Sequence, residues 1–268
     1  MILSNYHTHT VNSDGNNTVD RMVERAVERG FTSLGFSNHS YTKHYEGGSI
    51  PPHRIPGYFE EIDAAKKKYG DKINVYKGTE WDYYTEDDGF DYEYRIGSVH
   101  YIEEDGVLYD VDISGGDLIN SANKYYNGDI FRLTEIYFEH VADLFDRVDC
   151  DIVGHFDLVA KFNKNNSVFD ANDPRYVNAW KKAVDRIMKH DGIVFEVNVS
   201  PVYRGYRDEP FPSVPMIEYI RDKGGRFIVT GDCHESGALG VWFEQAYALL
   251  DSLGAEYIDF EDIVKNKK

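Results

Sequence analysis

The sequence predicts an α/β fold, a distorted (β/α)7 TIM-like barrel that takes residues 1–268 as one domain. Three observations predict it. Short apolar runs alternate with amphipathic helix patterns, the order of strand, crossover helix and parallel strand. No Pro/Gly/Ser-rich linker or shift of composition divides the chain. A length of 268 residues is ordinary for one barrel.

The strand-like runs are residues 2–6, 33–36, 74–77, 94–99, 150–154, 193–197 and 226–230. Each is mostly apolar on both faces and bounded by Gly, Asp, Asn or Ser, as expected of strands covered on both sides in a parallel sheet. Thr18 is placed to cap a helix over 19–29, which Gly30 closes. Further helix patterns occupy 58–69, 131–145, 174–190, 213–223 and 243–253. The longest insertion, 103–132, is rich in Tyr, Asp and Gly; it reads either as a lid over a small ligand or as packing on the barrel.

Composition narrows the function classes. Hydrophobic residues make up 41% and charged residues 28%, enough apolar material for a full core. No apolar run approaches the roughly 18 residues of a membrane span. The start, Met-Ile-Leu-Ser-Asn-Tyr, lacks the basic-then-apolar order of a secretory signal. Cys150 and Cys233 form no Cys-x-x-Cys pair, so neither a disulfide framework nor a thiolate zinc site is expected, and a cytoplasmic location is. With 29 basic and 47 acidic residues the net charge is −18, which repels nucleic-acid backbones. The charge serves solubility or a small ligand; nucleic-acid and membrane partners are not expected, and the oligomeric state is not legible.

The residues that follow the strand-like runs are more specific. The first run leads into His7-Thr8-His9, the second into Asn38-His39 and the third into Thr79-Glu80-Trp81-Asp82. His100, His155 and Asp232-Cys233-His234 follow the fourth, fifth and seventh. Residues two apart on an extended segment point the same way, so His7 with His9, and Asp232 with His234, each offer two groups to one cavity. Asp14, on the loop after the first strand, can reach that cavity. Imidazole with carboxylate binds zinc, manganese or iron, and two or three such ions are expected. Glu80 is a candidate bridge, having one oxygen for each of two cations. Nine such groups at the exits of six strands have no ordinary packing explanation, because burying them unpaired is costly.

The order and wording of these motifs resemble the PHP family, the polymerase and histidinol phosphatase group, over essentially the whole chain. Gly78-Thr-Glu-Trp-Asp-Tyr83, Gly97-Ser-Val-His-Tyr101, Asp151-Ile-Val-Gly-His-Phe-Asp-Leu158 and Glu196-Val-Asn198 resemble the histidinol-phosphatase branch. The resemblance implies three metal positions: His7, His9, Glu80 and Asp232; Glu80, His100 and His155; and Asp14, His39 and His234. Many members carry histidine where Asp14 stands, and alanine is usual where Cys233 stands; Cys233 is expected to be a small buried residue. Lys161 and Arg204 resemble basic positions of that branch and are the candidate substrate-binding residues, against an ordinary solvated charge. Arg207, Lys43, His44 and His53 are weaker candidates, and His140 and His190 are expected to be structural.

The implied activity is hydrolysis of L-histidinol phosphate, with a hydroxide bridging two metals attacking phosphorus in line. Glu80, Asp232 and His234 are the expected catalytic residues. For the proton to the leaving group Asp232, His234 and a metal-bound water stay open, and ligand residues are poor free acids while coordinated. The acidic residues Asp82 and Glu86-Asp87-Asp88 either complement a cationic substrate or are solvated turns. Three other readings stay open: a phosphatase for another small ester such as a nucleotide or phosphotyrosine, carbon–nitrogen hydrolysis, and a non-catalytic metal-binding module.

Overall fold

A computed structural model describes residues 1–266. Nine strands follow in chain order: β1 (Ser4–Asn5), β2 (Ser33–Phe36), β3 (Asn74–Asp82), β4 (Tyr94–Ser98), β5 (Tyr101–Glu104), β6 (Val107–Asp110), β7 (Ile152–Val153), β8 (Val194–Asn198) and β9 (Phe227–Thr230). Seven of them form one parallel sheet in the order β1-β2-β3-β4-β7-β8-β9, a nearly closed barrel. A single parallel bridge, Thr8 with Cys233, draws the two edges together just beyond β1 and β9. All seven predicted strands are present, and β3 runs five residues past its predicted end at Lys77, to Asp82. Glu80 therefore stands within a strand, not after one.

The α-helices among the described residues are α1 (Val19–Glu28), α2 (Ile55–Tyr69), α3 (Gly115–Tyr126), α4 (Ile130–Arg147), α5 (Pro174–Ile187), α6 (Ser200–Tyr203), α7 (Val214–Asp222), α8 (Phe243–Leu253) and α9 (Glu261–Asn266). The Thr18 hydroxyl accepts from the Arg21 amide as expected, and Asp129 and Asp173 cap α4 and α5 in the same way. No helix lies between β3 and β4, so the strand–helix alternation is interrupted there. The insertion after β4 carries elements that its composition does not announce: β5 and β6 form an antiparallel hairpin, and α3 follows. Asp105 and Gly106, both at positive φ, make the two-residue turn of that hairpin.

The floor of the barrel interior is apolar. Tyr6, Tyr94, Ile96, Ile152, Val194, Ile228 and Phe260 are buried together there. Tyr94 takes its place because Gly35 and Gly78 lack side chains: a Cβ on either would lie 2.3 or 2.2 Å from Tyr94 atoms. Its hydroxyl donates to the Tyr6 carbonyl at 2.6 Å, immediately before His7. Above that floor the interior changes from apolar to titratable. Among the described residues no helix is long and apolar enough to cross a membrane.

Candidate metal centre

The closure of the barrel builds two walls of the site at once. The Cys233 amide donates to the His7 carbonyl at 3.1 Å and the His9 amide to the Cys233 carbonyl at 2.9 Å. This pairing fixes the extended segment that turns both His7 and His9 inward, each fully buried. Asp232 adopts φ 45°, a left-handed conformation uncommon for aspartate. Hydrogen bonds on every side hold the turn: the Gly231 amide donates to Asn5, and the Tyr203 hydroxyl donates to the Gly231 and Asp232 carbonyls. Cys233 is buried as expected and faces Asn5 rather than the cluster.

All nine predicted residues come together. His9, Asp14, His39 and His234 form one group whose ligand-type atoms lie within 4.8 Å of one another; His7, His9 and Asp232 form another. Glu80 joins two more, with His7 and His155, and with His39 and His100. Its two oxygens divide the neighbouring imidazoles. Oε2 lies 3.2 Å from His7 Nε2, 3.4 Å from His9 Nε2 and 3.0 Å from His39 Nδ1. Oε1 lies 2.7 Å from His155 Nε2 and 3.3 Å from His100 Nε2. Glu80 is 1% exposed, whereas Asp14 and His234 are 21% exposed, so the cluster opens on their side.

This set fits divalent cations. His7 Nε2, both ring nitrogens of His9 and Glu80 Oε2 are buried with no hydrogen-bond partner. Unpaired buried polar atoms are expensive, and one cation satisfies several at a stroke. The charges point the same way. Burial alone would lower the His39 imidazole, yet Glu80 and Asp14 outweigh it and raise the group to about 10. Burial would raise Glu80, yet His39, His7 and His100 hold it well below the usual carboxylate range. The carboxylates are thus anionic and aimed at the position of positive charge, the condition a metal needs of its ligands.

A cavity of about 210 Å³ opens over the cluster, and Lys161, Arg204, Asp112, Tyr45 and Ser200 reach its wall. Lys161 and Arg204, the candidate substrate-binding residues, both lie on that wall. Lys161 Nζ is 2.8 Å from Asp112, and an Arg204 nitrogen is 2.7 Å from His234 Nδ1. A larger groove of about 630 Å³, beside Trp180 and Tyr219, contains none of the nine residues. Arg207 is buried in an ion pair with Asp157, and His53 and Lys43 are exposed off the cavity wall. His44 pairs with Asp110 at 3.2 Å. His140 stacks on Tyr83 and His190 bonds Asp146, both off the cavity wall.

One expectation is corrected. Asp82 is neither a solvated turn nor a substrate contact: it is 3% exposed on β3, and its Oδ2 lies 3.2 Å from His100 Nδ1. Glu86 and Asp87 are exposed and Asp88 holds the Tyr92 hydroxyl, all off the cavity wall. Sequence reasoning assigned no role to Glu196, which lies behind His7; its signal is a carboxylate within an otherwise apolar strand run, where charge must be paired.

The PHP domain pattern matches residues 5–200. The chain belongs to the PHP family. It is 24% identical to a probable histidinol-phosphatase of Schizosaccharomyces pombe, over 88% of this chain and 81% of that one. In fold this PHP chain is similar to a putative histidinol phosphatase of Listeria monocytogenes, with TM-score 0.75, 19% identity, and coverage of 90% and 99% of the two chains. It is similar also to the histidinol phosphate phosphatase of Lactococcus lactis, whose structure holds zinc, L-histidinol and phosphate. There the TM-score is 0.69 at 18% identity over 95% of each chain.

Proposed function

We propose that this PHP protein is a cytoplasmic, metal-dependent phosphomonoesterase that hydrolyses L-histidinol phosphate to L-histidinol and phosphate. The observation that carries the reading is the division of five imidazoles between the two oxygens of one buried carboxylate, Glu80, under an open cavity. His7, His9, Glu80 and Asp232 would hold one cation, Glu80, His100 and His155 a second, and Asp14, His39 and His234 a third, with zinc, manganese or iron as the metal. Bound there, the cations supply a water ionised at neutral pH and positive charge for the phosphoryl oxygens.

The remaining work falls to the chain. Lys161 and Arg204 stand on the cavity wall as cations for the non-bridging phosphate oxygens. Asp112 holds the Lys161 ammonium over the cavity, while Arg204 also donates to the Asp232 carbonyl at 3.2 Å. Asp232 and His234 line the cavity beside the departing alkoxide; as ligands neither would have a free proton to give, so that proton would come from water. Support for the substrate comes from the histidinol phosphatases to which the chain is similar.

The test is phosphate release from L-histidinol phosphate by the purified chain, before and after chelation and on re-addition of Mn²⁺ or Zn²⁺. Metal-restored turnover near or above about 10⁴ M⁻¹s⁻¹, well above that on p-nitrophenyl phosphate, is expected. Turnover on the generic ester alone would keep the phosphatase and discard this substrate. No turnover on either would reopen carbon–nitrogen hydrolysis and the non-catalytic metal-binding module.

A further inference from the structure

Six of the seven barrel strands deliver candidate ligands at their ends; β8 delivers none. At the matching place β8 carries Glu196, fully buried behind His7. One of its oxygens, Oε2, lies 2.8 Å from His7 Nδ1 and accepts from the Thr230 hydroxyl at 2.7 Å. The other, Oε1, accepts from the His155 amide at 2.5 Å and the Asn198 side-chain amide at 2.9 Å. Three donors whose hydrogens are not in doubt, together with His7, fill the four lone-pair positions of the carboxylate.

An ionised carboxylate only accepts hydrogen bonds. His7 Nδ1 must therefore be the nitrogen that carries the proton, and the lone pair of neutral His7 is left on Nε2. That is the nitrogen with no hydrogen-bond partner, 3.2 Å from Glu80 Oε2. The backbone bond to His155 extends the same control to a second histidine, one that faces the other oxygen of Glu80.

We infer that Glu196 is a positioning residue of the metal centre: it selects the His7 tautomer that presents Nε2 and anchors the backbone of His155. The inference rests on the metal-centre reading and not on the identity of the substrate. It separates two jobs within one kind of side chain, since Glu80 would touch the cations and Glu196 would aim their ligands.

The decisive variant is Glu196→Gln, which keeps the shape while giving one of the two terminal atoms hydrogens. Whichever way the amide turns, it sets an N–H against either the Thr230 hydroxyl and His7 or the His155 and Asn198 donors. Zn²⁺ alone is the probe, titrated against a chromophoric chelator, so no substrate turnover is needed. Zinc affinity is expected to fall about 10- to 100-fold, while the metal-free protein keeps its far-UV circular dichroism. Unchanged zinc affinity in the folded variant would overturn the inference. Should the variant fail to fold, the zinc-loaded wild-type chain still decides by ¹⁵N NMR of its histidines. His7 bound through Nε2 with an exchange-protected Nδ1–H is expected, and binding through Nδ1 would overturn the proposal. Absence of turnover in the zinc-loaded wild-type chain would instead count against the phosphatase reading and leave this inference standing.

Discussion

The upper and lower halves of the barrel interior are built by the same strands and obey opposite rules. Below, Tyr6, Tyr94, Ile96, Ile152 and Phe260 exclude water, and Tyr6 packs edge-on against Phe260 at 4.9 Å between ring centres. Above, His7, His9, Glu80 and His155 are as deeply buried, but they are titratable. One residue separates the two regimes, since Tyr6 belongs to the floor and His7 to the site. Apolar burial stabilises by itself, at about 25 cal/mol per Å². Buried charge stabilises nothing until it is paired, so the upper half depends on its outer carboxylates and on the cations it is shaped for. The lower half holds the frame against which the upper half can be charged.

That contrast predicts distinct failures. Glu80→Gln is the largest: it removes the charge from the one side chain that faces both groups of imidazoles. Activity is expected to drop on the order of 10³-fold or more, with loss of bound metal measured by elemental analysis and little change in the metal-free fold. Full activity would break the assignment of Glu80 as the bridge. Phe260→Ala should do the reverse. Emptying the floor is expected to cost about 3–5 kcal/mol in urea unfolding, while the zinc affinity of the folded variant changes less than about 3-fold. If zinc affinity fell in step with stability, the two halves would be one cooperative unit and the contrast would fail.

Legibility in the sequence follows the same division. The nine metal-type residues were readable because imidazoles and carboxylates at strand ends are chemically conspicuous and recur after every strand but one. The seven strands were readable from apolar runs bounded by turn residues. Partners of ligands were not. Glu196 and Asp82 bond His7 and His100, contacts that exist only once the barrel brings β8 within reach of the residue after β1, and β3 beside the segment after β4. Nor does spacing reveal that Lys161 would meet Asp112, because the hairpin that sets Asp112 down is an insertion read only by its composition. Its Asp105-Gly106 turn was a usable signal, as that dipeptide between apolar residues marks a hairpin.

The mouth of the upper half sharpens the contrast at smaller scale. Arg204 is exposed, touches His234 and the Asp232 carbonyl, and would meet substrate without holding metal. Arg204→Met should raise KM for L-histidinol phosphate about 10-fold, or roughly 1.4 kcal/mol of binding, with bound metal unchanged. Unaltered kinetics would make it an ordinary solvated charge, and a loss of metal would make it part of the centre instead.

His140 supplies the smallest effect and the cleanest control, because it is a half-buried histidine outside the cluster. Inside the cluster carboxylates overcome burial and raise imidazoles such as His39; at His140, stacked on Tyr83, burial prevails and lowers the group to about 4. Below its ordinary value of 6.5 the unfolded chain takes up a proton that the folded chain refuses until about pH 4. Its contribution is therefore complete above pH 6.5 and is lost as the pH falls from 6.5 towards 4. After allowing for solvent screening, about 1 kcal/mol should go between pH 7 and pH 5. His140→Phe keeps the ring against Tyr83 and removes the titration. Urea unfolding of both proteins in the same metal-free buffers should show the variant losing about 1 kcal/mol less than the wild type over that interval. Equal losses would mean that a lone buried imidazole is as well compensated as those of the cluster, which its unpartnered Nδ1 argues against.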